Sequence, residues 1–233
     1  MSETTIAYEP AINVDVGGGQ LEYPTPSRAS AIACRMLDLV VATVALVLLS
    51  PLLLVLALWI RLDSRGPALF RQERRGHGAR PFVVHKFRTM HVDASNDAHV
   101  AYVQSLIAGN AERNDKLFKL VADDRITRIG RVLRKASIDE LPQLINVVLG
   151  NMSLVGPRPC LDYELAKYPP HAFARFAVKP GITGLWQVSG RSQLSFEEMI
   201  ALDIEYARRP SFWLNVRILL RTLPVVLRGS GAA

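Results

Sequence analysis

The chain has 233 residues, of which 49% are hydrophobic and 21% charged, and this composition excludes a wholly disordered protein. The formal net charge is +7, and residues 1–27 hold four acidic residues and no Lys or Arg, so the remainder sets 28 basic residues against 17 acidic ones. Such a basic body suits anionic lipid, phosphate-bearing substrates or nucleic acid, and charge alone does not choose among them. The two cysteines, Cys34 and Cys160, form no Cys-x-x-Cys motif, which disfavours a metal site and indicates a reducing compartment.

Residues 1–27 are predicted to form a disordered acidic tail. Three glycines at 17–19 and the nearby prolines Pro24 and Pro26 interrupt any hydrophobic periodicity, and the polar composition offers no face to a core. A cleaved signal peptide is disfavoured, because the amino terminus is acidic and the following apolar run starts late and is long.

That apolar run covers residues 39–60, in which only Thr43, Ser50 and Pro51 are not apolar. It accounts for the mean hydropathy of +0.16, which is high for a soluble domain. At about 1.5 Å per residue the run reaches roughly 33 Å as a helix, enough to cross a hydrocarbon core of about 30 Å once. We therefore predict a permanent membrane anchor over residues 28–62.

The anchor has two possible arrangements. Ser50 and Pro51 divide the run into 11 and nine residues, each about half a bilayer deep as a helix. Proline removes one helical hydrogen bond, and a serine beside it can satisfy the freed carbonyl. Arginines flank the run on both sides, as expected of segments on the cytoplasmic face. A single crossing and a re-entrant hairpin broken at Ser50 and Pro51 both remain open. Arg35 and Asp38 lie one helical turn apart, a spacing that allows them to pair where the helix enters the membrane.

The rest of the chain mixes short strands with several helices, which predicts an α+β fold that is mainly helical. Near the carboxyl end, Trp, Phe and Arg side chains on one amphipathic helix suit a membrane interface and packing on the body equally well. The predicted elements are strands at 68–70 and 81–85 around a turn at 76–78, helices over 98–121, a basic helix over 125–135, a helix from Pro142 to Gly150, and the amphipathic helix over 211–222.

Asp139 and Glu140 are the leading candidates for chemistry. They precede the helix that is predicted to begin at Pro142, and one carboxylate can serve as a nucleophile or base while the other binds Mg²⁺. A structural alternative carries equal weight on this pattern alone. In it, Ser137 opens a capping box and Glu140 only closes the start of the helix.

Cations in three separate segments complete the candidate site. Lys86 lies in a Lys-Phe-Arg-Thr stretch with Arg88, Arg134 ends the basic helix, and Arg158 stands between two prolines that extend its backbone. The sequence contains no Walker A loop, no His-Glu-x-x-His and no Gly-x-Ser-x-Gly. Magnesium takes one or two protein carboxylates and fills its shell with water and phosphates, so Glu140 suffices as its protein ligand.

These motifs together resemble the bacterial sugar transferase family, the monotopic polyprenyl-phosphate phosphoglycosyl transferases. The resemblance covers about residues 30–228, with Asp124 at a position where the family commonly has proline, and Asn151 and Gln193 where it commonly has aspartate. The motifs that carry it are KFRTM at 86–90, DDRITRIG at 123–130, SIDELPQLINV at 137–147, MSLVGPRP at 152–159 and KPGITGLWQVSGR at 179–191.

The resemblance implies a monotopic protein on the cytoplasmic face of the bacterial inner membrane, with interfacial amphipathic helices and a re-entrant helix broken at Ser50 and Pro51. It implies a catalytic domain over residues 63–228, followed by a short tail at 229–233. The short segment ahead of the anchor resembles minimal members of the family, which lack additional membrane helices.

The resemblance further implies transfer of a phospho-sugar from a UDP-sugar to undecaprenyl phosphate, which starts an exopolysaccharide or other surface glycan that downstream glycosyltransferases extend. The family roles fall on Asp139 as nucleophile, Glu140 as Mg²⁺ ligand, and Lys86, Arg134 and Arg158 as phosphate-binding cations. Nucleic acid is not an expected partner, and a homo-oligomer remains open. Glucose and galactose are the favoured sugars.

Two other functions remain. The first is a membrane-tethered adaptor whose basic face binds anionic lipid or nucleic acid without catalysis, which explains the charge and the anchor but not the Asp139–Glu140 pair. The second is an enzyme that transfers the sugar alone and releases UDP. The released nucleotide distinguishes all three.

Overall fold

The computed structural model describes residues 14–15, 20–21, 27–92, 100–101, 105 and 125–227. Most of the predicted acidic tail, nearly all of the helices predicted over 98–121, and the tail at 229–233 lie outside the described residues.

The first helix, α1 (Arg28–Asp63), contains the whole apolar run. Ser27 caps its amino end, with its hydroxyl accepting a hydrogen bond from the Ser30 amide at 3.3 Å. Within the described part of the chain, α1 is the one helix long and apolar enough to cross a membrane, with a mean hydropathy of 2.9 over its most apolar window. The segment predicted as a membrane anchor is therefore a continuous helix of 36 residues.

Pro51 lies inside α1, and the two separate arms predicted on either side of Ser50 and Pro51 are not seen as separate helices. Proline at position 51 deprives the Val47 carbonyl, four residues earlier, of its backbone donor. The Ser50 hydroxyl donates to that carbonyl at 2.8 Å. The helix continues because the adjacent serine replaces the missing hydrogen bond.

Short strands form three two-stranded sheets. The longest sheet pairs two neighbouring strands antiparallel, with Leu69 opposite Phe87. It extends further than the strands predicted at 68–70 and 81–85, and a 3₁₀ turn at His77–Ala79 connects its strands. The strands are β1 (Val14–Asp15) antiparallel to β2 (Gln20–Leu21), β3 (Leu69–Arg75) antiparallel to β4 (Pro81–Phe87), and β5 (Ser153–Val155) parallel to β6 (Gly181–Thr183).

Helices dominate the rest of the described chain, which confirms a mainly helical α+β fold. Thr127 caps α2, so this helix starts three residues later than predicted, and Gly150 ends α3 in a left-handed conformation as its sequence indicated. The helices are α2 (Arg128–Lys135), α3 (Gln143–Leu149), α4 (Asp162–Leu165), α5 (Leu185–Ser189), α6 (Phe196–Arg208) and α7 (Phe212–Leu227), with 3₁₀ segments at Ile138–Glu140, Pro170–Ala177 and Arg191–Gln193.

Both halves of α1 pack on the same body. Ala42 in the first half joins a core cluster that includes Val84 of β4. Ile60 in the second half joins a cluster that includes Phe87, three residues further along the same strand. The intervening turns of α1 leave many large apolar side chains exposed, including Leu48 at 72% and Leu54 at 72%. Apolar side chains in such numbers are typical of a helix whose outer face meets lipid.

Polar side chains fasten the amino-terminal half of α1 to the body. Arg35 donates to the Val147 and Val148 carbonyls at 2.7 and 2.9 Å, at the carboxyl end of α3. Asp38 accepts from the Leu154 amide at 2.9 Å. Arg35 and Asp38 form no direct ion pair in this part of the described chain, because Arg35 binds backbone carbonyls at the end of α3 while Asp38 binds the Leu154 amide and the Ser153 hydroxyl.

The last helix, α7, is amphipathic and longer than predicted, because it continues through Pro224 to Leu227. Its inner face buries Asn215 and Ile218, while Trp213 and Leu220 are 76% and 63% exposed. The inner face of α7 packs on the body, and its exposed apolar face is free to meet a membrane interface.

Candidate active site

The Asp139–Glu140 pair lies in the 3₁₀ turn Ile138–Glu140, between α2 and α3. Ser137, before it, adopts a left-handed backbone with φ of 56°, and its side chain makes no capping hydrogen bond. The capping-box alternative is therefore wrong. Both carboxylates are half-buried at the surface of the body.

Lys86 binds this turn directly, because its Nζ lies 2.8 Å from Glu140 Oε1. The buried amide of Asn146 in α3 makes this contact possible. It donates to the Val83 carbonyl at 2.6 Å and accepts from the His85 amide at 3.0 Å, which fixes the end of β4 against the helix that follows the turn. Residues that are 54 positions apart in sequence thus form one charged pair.

Arg158 lies within electrostatic reach of the Glu140 carboxylate. Burial lowers the Arg158 pKa, but Glu164, Tyr168 and Glu140 outweigh burial and raise it overall. The Arg158 guanidinium lies 3.4 Å from Glu164 Oε1. The glycine that precedes this segment, Gly156, lies against the β6 backbone so closely that an added Cβ would be 2.3 Å from the Lys179 carbonyl oxygen. Only glycine permits this approach.

Arg134 occupies the last turn of α2, whose carboxyl end leads into the Asp139–Glu140 turn. Its Nη1 atom is buried and has no hydrogen-bond partner among the described residues. A buried guanidinium nitrogen without a partner is costly, so this atom is a candidate donor for a bound anion.

Arg88 was grouped with the phosphate-handling cations in the Lys-Phe-Arg-Thr stretch, and the structure assigns it a different role. It is 5% exposed and donates to the Ser64 carbonyl at 2.7 Å and to the Ile60 carbonyl at 3.3 Å. It also donates to the Arg65 carbonyl. Arg88 therefore binds the carboxyl end of α1, where the helix dipole stabilises a cation.

Sequence reasoning did not single out Arg191. Burial lowers the Arg191 pKa, and the Glu140 charge opposes this effect, so the guanidinium lies within electrostatic reach of the pair. Its Nε donates to the Gln187 carbonyl at 3.1 Å, and its backbone has a positive φ of 52°. A positive φ at a non-glycine residue often marks a functional site, but only the structure reveals it, so the sequence offered no signal for Arg191.

Trp186 packs in the interior, where it is 8% exposed in a core cluster with Tyr168 and Phe196. His85 lies 3.2 Å from the Asn146 amide oxygen, and His171 is exposed.

The donor set at the turn fits a magnesium ion shared with substrate. Among the described residues, no cluster of three or more His, Cys, Asp or Glu side chains could enclose a metal. Asp139 and Glu140 are adjacent carboxylates, and Mg²⁺ commonly binds one or two such groups while phosphates complete its shell. Glu140 contacts Lys86 and lies within electrostatic reach of Arg158 and Arg191, so the turn suits a negatively charged, metal-bridged ligand such as a diphosphate.

Comparison with known proteins agrees with this chemistry. Residues 29–229 match the profile of the family described as bacterial sugar transferase. The UDP-glucose:undecaprenyl-phosphate glucose-1-phosphate transferase of Caulobacter vibrioides is 44% identical over 218 residues, covering 90% of this chain and 75% of that protein.

Two further relatives differ in length. The galactosyl transferase CpsE of Streptococcus agalactiae is 45% identical over 86% of this chain but only 43% of its own length. The exopolysaccharide production protein ExoY of Rhizobium meliloti is 37% identical over 86% of this chain and 88% of its own. The chain thus spans less than half of some relatives and most of others.

Proposed function

Because the chain belongs to the bacterial sugar transferase family, we propose that it transfers a phospho-sugar from a UDP-hexose to undecaprenyl phosphate, releases UMP, and starts an exopolysaccharide or related surface glycan. The observation that carries the proposal is the 2.8 Å contact between Lys86 and Glu140, which adds a cation from β4 to the Asp139–Glu140 pair. The names of the relatives supply the reaction class, since they include glucose and galactose phosphotransferases that act on undecaprenyl phosphate.

In the first step, an Asp139 carboxylate oxygen attacks the β-phosphorus of the UDP-sugar. A phosphorus–oxygen bond forms to Asp139, the bond from the β-phosphorus to the bridging oxygen breaks, and UMP leaves with that oxygen and the electron pair. Lys86, Arg134 and Arg158 stabilise negative charge on the transferring phosphoryl oxygens.

In the second step, a phosphate oxygen of undecaprenyl phosphate attacks the same phosphorus. The new phosphorus–oxygen bond forms as the bond to Asp139 breaks, which regenerates the carboxylate and yields a lipid diphosphate sugar. Such a double displacement predicts ping-pong kinetics.

Glu140 is the residue that we propose as the magnesium ligand, with Asp139 adjacent. When bound, Mg²⁺ would neutralise charge on the diphosphate. The Lys86 ammonium lies 2.8 Å from one Glu140 oxygen, and its flexible side chain would allow it to bind the substrate phosphate instead.

We also propose that α1 enters the membrane from one side and does not cross it. A straight helix of 36 residues extends about 54 Å. Yet Arg35 fastens one end of α1 to α3, and Arg88 fastens the other end to β4. Asn146 joins α3 to β4, so both ends of α1 are attached to the same polar body. This attachment supports a re-entrant anchor bent near Ser50 and Pro51, with the body on the cytoplasmic face of the inner membrane.

The product of the reaction tests the function. Full-length protein in nanodiscs is incubated with a panel of UDP-sugars, Mg²⁺ and undecaprenyl phosphate, and the released nucleotide is identified. We expect UMP with UDP-glucose or UDP-galactose, dependent on both Mg²⁺ and the lipid phosphate for turnover. UDP would indicate transfer of the sugar alone, and no nucleotide from any sugar would favour a non-catalytic adaptor.

The anchor is tested separately by labelling single cysteines at Ser27 and Ser64, introduced into a variant without Cys34 and Cys160, in intact cells and inverted vesicles. A membrane-impermeant reagent should label both positions only in inverted vesicles. Labelling of the two positions from opposite sides would show that α1 crosses the membrane.

A further inference from the structure

Behind Arg158 lies a group of buried charged side chains that the proposed reaction does not use. Arg175 and Asp203 form an ion pair in which each residue is at most 2% exposed. Taking two charges out of water is costly, and replacing a buried pair with well-packed apolar residues is often neutral or stabilising. Stability alone therefore does not explain why these charges are present.

The Arg175 guanidinium joins three separate segments. Its Nη2 donates to the Asp203 carboxylate in α6 and, at 2.9 Å, to the backbone carbonyl of Arg158. Its Nη1 donates to the Tyr168 hydroxyl at 2.7 Å. Because the guanidinium is planar and each contact has a fixed direction, this arrangement determines where the Arg158 backbone lies.

Two more buried charges hold the same segment. Glu164, which is fully buried, accepts from the Leu161 amide at 2.9 Å through one oxygen and faces the Arg158 guanidinium at 3.4 Å through the other. Arg74, 8% exposed, donates to the Pro159 carbonyl at 3.0 Å. Buried charges thus bind two successive backbone carbonyls, those of Arg158 and Pro159, and a third faces the Arg158 side chain itself.

We infer that the Arg175–Asp203 pair is a positioning device that acts through Arg158 and sets the affinity of the site for the diphosphate of the nucleotide sugar. The inference rests on the proposed function of Arg158. A phosphate-binding side chain must be held within about 0.5 Å of its productive geometry by groups that are themselves fixed. Arg175, paired with Asp203, is such a group, and it lies too deep to contact substrate.

The test removes the pair without leaving an unpaired charge. In Arg175→Met/Asp203→Leu both charges are lost, and the protein should remain folded with a melting temperature close to wild type. We expect kcat/KM for the UDP-sugar to fall about 10- to 100-fold, mostly through a higher KM, because the loss of the Arg158 carbonyl contact misplaces its guanidinium. If the double variant does not fold, Arg175→Lys, which keeps the charge beside Asp203 but not the planar fork, is measured instead with the same expectation.

Tyr168→Phe is the matched control. It removes another hydrogen bond of the same guanidinium but leaves the Arg158 carbonyl contact in place. We expect it to lower the melting temperature while kcat/KM stays within about twofold of wild type. If Tyr168→Phe lowered kcat/KM as much as the double variant, a general structural role would explain both, and the inference would be wrong.

A double-mutant cycle identifies the residue through which the pair acts. Arg158→Lys alone should impair the enzyme, and adding Arg175→Met/Asp203→Leu should then cost much less than it does in the wild-type background. Equal costs in both backgrounds would overturn the inference, as would a folded double variant with wild-type kcat/KM. A normal enzyme carrying Arg158→Lys would instead contradict the proposed role of Arg158 itself.

Discussion

Two ion pairs in this molecule illustrate opposite uses of charge. Lys86 and Glu140 are 25% and 38% exposed, whereas Arg175 and Asp203 are each 1% exposed. An exposed pair contributes about 0–1 kcal/mol to stability, so a metal ion or phosphate can replace either partner at low cost. A buried pair does not separate, because one charge left alone in the interior costs about 3–5 kcal/mol. The exposed pair is suited to exchange with substrate, and the buried pair is suited to hold the site in shape.

The largest expected effect is on catalysis at the exposed turn. Asp139→Asn should lower turnover by at least about 10³-fold, since the amide is not a nucleophile, while the melting temperature stays near wild type. Asp162→Asn, in an exposed carboxylate paired with Arg75, is the control and should retain normal turnover. Normal turnover in Asp139→Asn would contradict the assignment of Asp139 as the nucleophile.

The next effect is on stability at the buried pair. Asp203→Leu alone should lower the free energy of unfolding by about 3–5 kcal/mol, because it leaves Arg175 charged and unpaired. Lys86→Met should lower it by less than about 1 kcal/mol. Urea denaturation monitored by tryptophan fluorescence measures both. Equal losses in the two variants would contradict the distinction between exchangeable and fixed charges.

A third prediction concerns catalysis without loss of stability. Lys86→Met should reduce kcat/KM for the UDP-sugar about 10²-fold, which is the usual cost of removing one donor to a developing negative charge. Lys86→Arg keeps the charge and should recover part of the activity. Steady-state UMP release measures both variants, and full activity of Lys86→Met would show that its contact with Glu140 is only structural.

The smallest effect is expected in the anchor. Ser50→Ala leaves the Val47 carbonyl without its donor beside Pro51, which should destabilise α1 by about 1 kcal/mol. Thr43→Ala, in the same apolar run, is the control. Thermal unfolding in nanodiscs, followed by far-ultraviolet circular dichroism, compares them. An unchanged Ser50→Ala variant would mean that the hydroxyl does not support the helix at Pro51.

The sequence predicted well where a local pattern determines structure. The apolar run, the strand that ends near Lys86 and the glycine end of α3 follow from hydrophobicity and backbone preferences that act over a few residues. The family motifs also led to Lys86 and Glu140 as members of one site, and the structure brings these two into contact.

The predictions that failed depended on partners far away in sequence. Arg35 binds α3 rather than Asp38, and Arg88 binds the end of α1, because packing brings backbone carbonyls at the carboxyl end of a helix close to each guanidinium. The helix around Pro51 is a separate, local case: two separate arms are not seen there, because the hydroxyl of the adjacent Ser50 replaces the lost hydrogen bond, and the re-entrant arrangement stays a prediction. Arg191 was missed, since nothing in its local sequence reports its strained backbone or its distance from Glu140.

The most direct test of the central claim is a single-turnover experiment without lipid acceptor. Wild-type protein mixed with UDP-glucose or UDP-galactose and Mg²⁺ should release up to one equivalent of UMP and gain the mass of one phospho-hexose, located by peptide mass spectrometry at Asp139. Adding undecaprenyl phosphate should remove the adduct. UMP release only after the lipid is added, with no adduct on the wild-type protein, would contradict the covalent mechanism.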